Sequence, residues 1–180
     1  MAACTLPTLT IVTGRPGAGK TTLARKLAEH IHCPLIGRDM IKEGIVNTTG
    51  DKGAPGGSLA MDACITFFAT IELLLKNRVT LVAEGFLGPQ LWGQHMPGLT
   101  AIARVRLIQC QADPDLAHSR MIQRRLNDPR WDEFHNSPVN QTQQPAQNYA
   151  LLDLGVPTLV VDCTNHYAPD FDTIFRFTQS

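Results

Sequence analysis

The chain has 180 residues, 43% of them hydrophobic and 18% charged, which is enough to bury one sizeable core and fits a single domain over 1–180. Sixteen basic and sixteen acidic residues cancel to a formal net charge of zero, so no global basic field recruits nucleic acid or an anionic membrane. Five cysteines scattered without a CxxC pair favour reduced thiols and a cytoplasmic setting over a disulfide framework or a zinc site.

The N-terminal MAACTLPTLT lacks the basic start and apolar stretch of a signal peptide, and no apolar run is read as membrane-spanning. Leu9, Ile11 and Val12 form a short buried strand that runs into TGRPGAGKTT. That stretch fits GxxxxGK[ST] with Gly14, Gly17, Gly19, Lys20 and Thr21 in register, and Arg15, Pro16, Ala18 and Thr22 complete the loop. Its glycines let successive N–H groups converge on phosphate oxygens, and the helix that follows turns its positive end toward them. Lys20 supplies a point charge to the outer phosphates of ATP, and the Thr21 hydroxyl is placed for Mg²⁺.

Residues 22–31 read as a helix with Leu23, Leu27 and Ile31 on one face, and 34–36 as a second strand. GRDMIKEG follows, with Asp39 just past the strand end, where it is either a catalytic carboxylate or a helix cap. Residues 40–46 look helical, 48–58 form a loop rich in glycine and polar residues, and 58–76 form a long helix whose Phe67 and Ile71 belong to the core. A third strand at 79–83 delivers Glu84, which can hold Mg²⁺ through water, orient a hydroxyl, or simply be solvated. In EGFLGPQLW, Phe86, Leu87 and Trp92 offer an apolar wall for an acceptor, with core packing the alternative for Leu87.

A fourth strand covers 105–110. Asp113 and Pro114 then start a helix that sets Arg120, Arg124 and Asn127 on one face, with Arg125 beside it and Arg130 beyond the Asp128-Pro129 break. These arginines read as a lid over about 120–140 that supplies charge to a transferring phosphate; the alternative is a solvated face paired with Asp128, Asp132 and Glu133. Residues 136–148 are strongly polar and 158–161 form a fifth strand. Strands alternating with helices predict an α/β fold, three layers with a five-stranded parallel sheet between helices. His30, His32, His95, His118 and His166 have no metal spacing.

GRPGAGKTT, GRDMIKEG, VAEGF and RMIQRR together resemble the small P-loop kinases related to chloramphenicol phosphotransferase, zeta toxin and the kinase domain of polynucleotide kinases, over roughly 8–165. The resemblance implies an adenylate-kinase-like P-loop NTPase fold with a small arginine-rich lid. It also implies that Asp39 is the general base toward an acceptor hydroxyl and that the basic cluster Arg120 to Arg125 contacts phosphates. Arg130 and His135 correspond loosely to a second basic stretch of that lid.

The expected activity is transfer of the γ-phosphate of Mg-ATP to a hydroxyl of a small molecule by a monomer or homodimer without membrane contact. Lys20, Asp39, Arg120 and Arg124 would be catalytic, Arg120 and Arg124 would also touch the nucleotide, and Thr21 and Glu84 would serve the metal. Two rivals stand beside it: a polynucleotide 5′-hydroxyl kinase, which the neutral charge argues against, and an ATPase or ATP-sensing module without an acceptor.

Overall fold

β1 (Thr8–Gly14) is buried at every position, as a central parallel strand covered on both faces must be. The computed structural model describes residues 6–52, 57–128, 134 and 150–180. β1 leads into α1 (Lys20–Ile31), and the chain continues through β2 (Leu35–Gly37), α2 (Arg38–Thr49), α3 (Ser58–Lys76), β3 (Leu81–Glu84), α4 (Pro89–Ile102), β4 (Arg104–Gln111), α5 (Pro114–Asn127), β5 (Thr158–Asp162) and α6 (Phe171–Gln179).

The five strands form one sheet in the order β2-β3-β1-β4-β5, and every pairing is parallel. The sheet registers Val12 with Glu84 and Gly14 with Cys110, so the phosphate loop emerges beside the ends of β3 and β4. β1 lies between β3 and β4, with β2 and β5 at the two edges, so the strand order reverses beside it. Ligands of open parallel sheets bind in the crevice at such a switch point, outside the carboxyl ends.

Two apolar layers sandwich the sheet. On one side α3 and α4 bring Phe67, Phe68, Ile71, Trp92 and Leu99 onto Leu9, Ile11 and Leu107; on the other, α1 and α6 bring Leu23, Leu27 and Ile174 onto Val12, Ile108 and Val161. The Trp92 ring lies edge-on to Phe68 at 5.2 Å and to Phe67 at 6.0 Å between centroids. Trp92 is therefore core and not a wall of the acceptor pocket, because full burial of so large an apolar side chain yields about 1.5–3 kcal/mol that an open pocket would forgo.

Other expectations shift as well. The helix foreseen at 40–46 runs from Arg38 to Thr49, which shortens the loop foreseen at 48–58, and of that loop residues 53–56 lie outside the described residues. α3 is long and apolar enough to cross a membrane by length and composition, contrary to the sequence reading, but one face of it is spent on the sheet through Ala63, Cys64, Phe67, Phe68, Ile71 and Leu75. α6 was not foreseen; Asp170 caps it by accepting from the Thr173 amide at 2.8 Å. Arg130, His135 and the 136–148 stretch of the expected lid fall outside the described residues.

Candidate active site

The loop between β1 and α1 is built on close backbone approach. Gly17 has φ +79°, and a Cβ added there would stand 2.1 Å from the Ala117 carbonyl oxygen on α5. Gly19, also left-handed, is the residue from which α1 starts, and α1 carries no side-chain cap, so its first amides are left for a ligand. Gly17→Ala is expected to weaken ATP binding about tenfold or more, since both the left-handed backbone and the contact with α5 must give way. Gly93→Ala in α4, where a Cβ meets nothing within 4 Å, should leave ATP binding alone and raise stability by about 0.5–1 kcal/mol. Calorimetric titration and thermal melts of both variants check the pair.

The first turn of α1 and the end of β3 meet on this loop. Lys20 Nζ lies 3.6 Å from Glu84 Oε1, with both side chains largely withdrawn from solvent. Burial raises the Glu84 carboxyl above its ordinary value; the Lys20 charge opposes this, Asp39 adds to it, and a hydrogen bond with Thr21 opposes it. Glu84 is thus no solvated strand end: it is 5% exposed. The carboxylate and the Thr21 hydroxyl are hard oxygen donors, and burial leaves the carboxylate in want of positive charge, so the pair fits a Mg²⁺ ion.

Asp39 occupies the first turn of α2. The residue at the cap position is Gly37, with no side-chain cap bond, so Asp39 is not the helix cap. Its side chain is half exposed and accepts from Arg38 Nη1 at 3.0 Å, and Arg38 Nη2 donates to the Ala60 carbonyl on α3 at 3.3 Å. A Cβ on Gly85 would come within 3.2 Å of Arg38 Cβ, which seats the start of α2 against the end of β3. Sequence reasoning missed Arg38, although its place beside Asp39 at a strand end was a visible signal.

α5 straddles the loop. Arg120 donates through Nη1 to the Cys163 carbonyl at 3.0 Å and through Nη2 to the Thr164 carbonyl at 2.7 Å, binding α5 to the segment after β5. Arg124, one turn on and exposed, makes its charge felt at Glu43 of α2, whose carboxyl is raised by burial and by Asp39. Arg120 thus reaches the segment after β5, whereas the charge of Arg124 acts toward α2.

Two cavities flank it. One of about 570 Å³ is lined by Gly19, Thr22, Arg120, Cys163, His166 and Tyr167. The other, about 240 Å³, lies beside Gly14, Arg15, Phe86, Pro89, Gln109 and Gln111. Phe86, 44% exposed, and Leu87 border this second space. The Gln109 side chain holds its wall in place, accepting from the Leu152 amide at 2.8 Å and donating to the Ala150 carbonyl at 3.4 Å. The sequence reading gave no site role to Gln109 or to the 163–167 segment, yet both sit at the ends of strands, where that reading located ligands. Among the described residues no group of three or more His, Cys, Asp or Glu is arranged to hold a metal by itself.

Known structures share this fold. A "putative kinase" from Chloroflexus aurantiacus is 26% identical, with 97% of each chain covered and a TM-score of 0.80. A gluconokinase from Sinorhizobium meliloti shares the fold at 18% identity and a TM-score of 0.62, covering 97% of this chain and 93% of its own. The Pnkp1/Rnl/Hen1 RNA repair complex contains a chain with the same fold at 17% identity and a TM-score of 0.61, covering 79% of this chain and 43% of that one. No curated protein matches at a significant level. The AAA domain family model matches residues 9–152, and with its phosphate loop and kinase-like parallel sheet the chain belongs to that family of P-loop nucleotide-binding proteins.

Proposed function

We propose that this protein transfers the γ-phosphate of ATP to a hydroxyl group of a small molecule. The observation that carries the reading is the separation of two carboxylates at adjacent strand ends. Glu84 is buried with Lys20 and Thr21, whereas Asp39 is half exposed on the rim of the same crevice. One carboxylate suits a metal and the other suits a proton. Mg²⁺ held by Thr21 and Glu84 would neutralise charge on the outer phosphates.

The acceptor oxygen bonds to the γ-phosphorus as the bond from that phosphorus to the ADP oxygen breaks, and Asp39 takes the hydroxyl proton. A loose phosphoryl transition state asks little of the base, so an ordinary carboxylate suffices once positioned. Lys20 and Arg124 neutralise the transferring group. Arg120, bound to two carbonyls beside Gly19 and Thr22, forms a wall for the nucleotide. The acceptor lies toward Phe86 and the 240 Å³ cavity.

This division predicts a split in kinetics. Arg120→Lys cannot reproduce the forked pair of bonds and should raise KM for ATP about tenfold with less effect on kcat, while Arg124→Lys should lower kcat more than it changes KM. Steady-state kinetics on both variants decide it; the reverse pattern would exchange the two roles.

The acceptor itself is found by transfer of label from γ-labelled ATP to a panel of sugars and polyols, nucleosides, aminocyclitol and phenylpropanoid antibiotics, and oligonucleotides with a free 5′-hydroxyl. Label in a small alcohol supports the proposal. Label confined to oligonucleotides would favour the polynucleotide kinase reading, which the fold shared with a chain of the RNA repair complex keeps in view.

A further inference from the structure

Cys110 is the penultimate residue of β4, and Cys163 directly follows β5. Cys110 is registered with Val161, and the Cys163 amide donates to the Gln111 carbonyl at 2.8 Å, so the alternation of strand side chains puts both cysteines on one face of the sheet. Both belong to the apolar cluster beneath α1, at 2% and 7% exposure. The Cys163 thiol donates to the Val161 carbonyl at 3.7 Å, and its interaction with the Cys110 side chain holds it below its ordinary value, while the same interaction and burial push Cys110 up. Of the two, Cys163 thereby gives up its proton the more readily.

The pair lies directly under the phosphate loop and between its two cavities. Cys110 borders the space beside Phe86 and Cys163 the space beside Thr22. A Cβ on Gly14 would stand 2.3 Å from the Cys110 carbonyl oxygen, and a Cβ on Gly19 would stand 3.5 Å from Cys163 Cβ. The first and last bends of the loop therefore rest on the two cysteine residues.

We propose that Cys110 and Cys163 are a modification site, oxidised by a peroxide to a reversible disulfide that weakens nucleotide binding. The Cys163 thiolate attacks a peroxide oxygen; a sulfur–oxygen bond forms, the oxygen–oxygen bond breaks, and hydroxide leaves. The Cys110 sulfur then attacks Cys163 Sγ; the sulfur–sulfur bond forms, the sulfur–oxygen bond breaks, and the departing oxygen leaves as water with the Cys110 proton. In sum, hydrogen peroxide is reduced to water and the dithiol loses both hydrogens. Two thiols that share one face of the sheet on neighbouring strands must close to a bond of about 2.05 Å, and the backbone beneath Gly14 and Gly19 moves with it. Displacement of the loop amides by a fraction of an ångström is enough to disturb the phosphate cradle. The site also explains why access matters: a nucleotide filling the cavity beside Thr22 covers Cys163.

The test treats the full chain with equimolar hydrogen peroxide and maps its peptides without reduction. The expected product has lost the mass of two hydrogens and joins the Cys110 and Cys163 peptides. Its ATP affinity is lower by about tenfold or more, and dithiothreitol reverses both changes. Saturating Mg-ATP should slow the reaction, and Cys110→Ser should stop at a Cys163 sulfenic acid that dimedone captures. The peptide map decides the bond whether or not the kinase reading holds, and it needs no variant to fold. Oxidation to sulfinic acid without a cross-link, a cross-link through Cys33 or Cys64, or a Cys110–Cys163 bond that leaves ATP affinity unchanged would each overturn the proposal.

Discussion

Lys20→Ala is expected to abolish phosphoryl transfer, with a loss of at least about 10³-fold in kcat/KM, while the domain stays folded. The lysine brings the one charge that reaches the loop from inside the first turn of α1, and its ammonium stands 3.6 Å from Glu84. Removing it has two consequences that must be separated. Phosphate charge goes uncompensated during transfer, which is the catalytic loss. Glu84, at 5% exposure, also loses the partner that opposes its burial. An unpaired buried carboxylate is costly, but Glu84 escapes most of that cost by taking up a proton, since burial already pushes its carboxyl up. The double variant Lys20→Ala with Glu84→Gln should therefore recover any stability lost by the single change and still fail to transfer phosphate. Circular dichroism melts and kcat/KM of both variants check this. Wild-type activity in Lys20→Ala would remove the kinase reading.

Asp39→Asn should cost about 10²–10⁴-fold in transfer rate and little in stability. Because Gly37 holds the cap position, the change removes no capping bond. What α2 loses is one negative charge in its first turn, worth about 0.3–1 kcal/mol, and Arg38 keeps its bond to the Ala60 carbonyl. The asparagine oxygen can still accept from Arg38, so the rim of the crevice keeps its shape. ATP affinity should stay near wild type, as the phosphate loop is untouched. Transfer at full rate with only a lowered melting temperature would strip Asp39 of its role as base and turn attention to Glu43, a second carboxylate on α2 raised by burial and by Asp39 itself.

Most of the sheet was legible from short apolar clusters set between helical segments, Ile11 and Val12 in β1, Leu81 to Ala83 in β3 and Leu107 and Ile108 in β4, although polar residues interrupt or end each strand. The phosphate loop was legible for a stronger reason: left-handed backbone at Gly17 and Gly19 and contact with Ala117 restrict the residue types, so the motif is written in the sequence. Glu84 and Asp39 followed from looking at strand ends. Contacts between distant segments were not legible. Nothing in RMIQRR says that Arg120 will be bound to the Cys163 and Thr164 carbonyls while Arg124 acts on Glu43, since that depends on where β5 returns beside β4. Trp92 was misread for a related reason. Aromatic residues after a strand suit a pocket and a core equally, and only the packing of Phe67 and Phe68 from α3 decides it. α6 was missed although Asp170 and Thr173 carry a capping pattern, because its nine residues are short for a periodicity signal.

The central claim is that the γ-phosphate goes to an alcohol and not to water, and isotopic water tests it most directly. The protein, ATP and the acceptor found in the label-transfer panel are incubated in water enriched in oxygen-18, and the phosphorylated products are weighed by mass spectrometry. The account predicts a phosphomonoester of the acceptor that contains no oxygen from water, with inorganic phosphate only a minor product. Inorganic phosphate carrying one water-derived oxygen as the main product, at the same rate with and without acceptor, would contradict it.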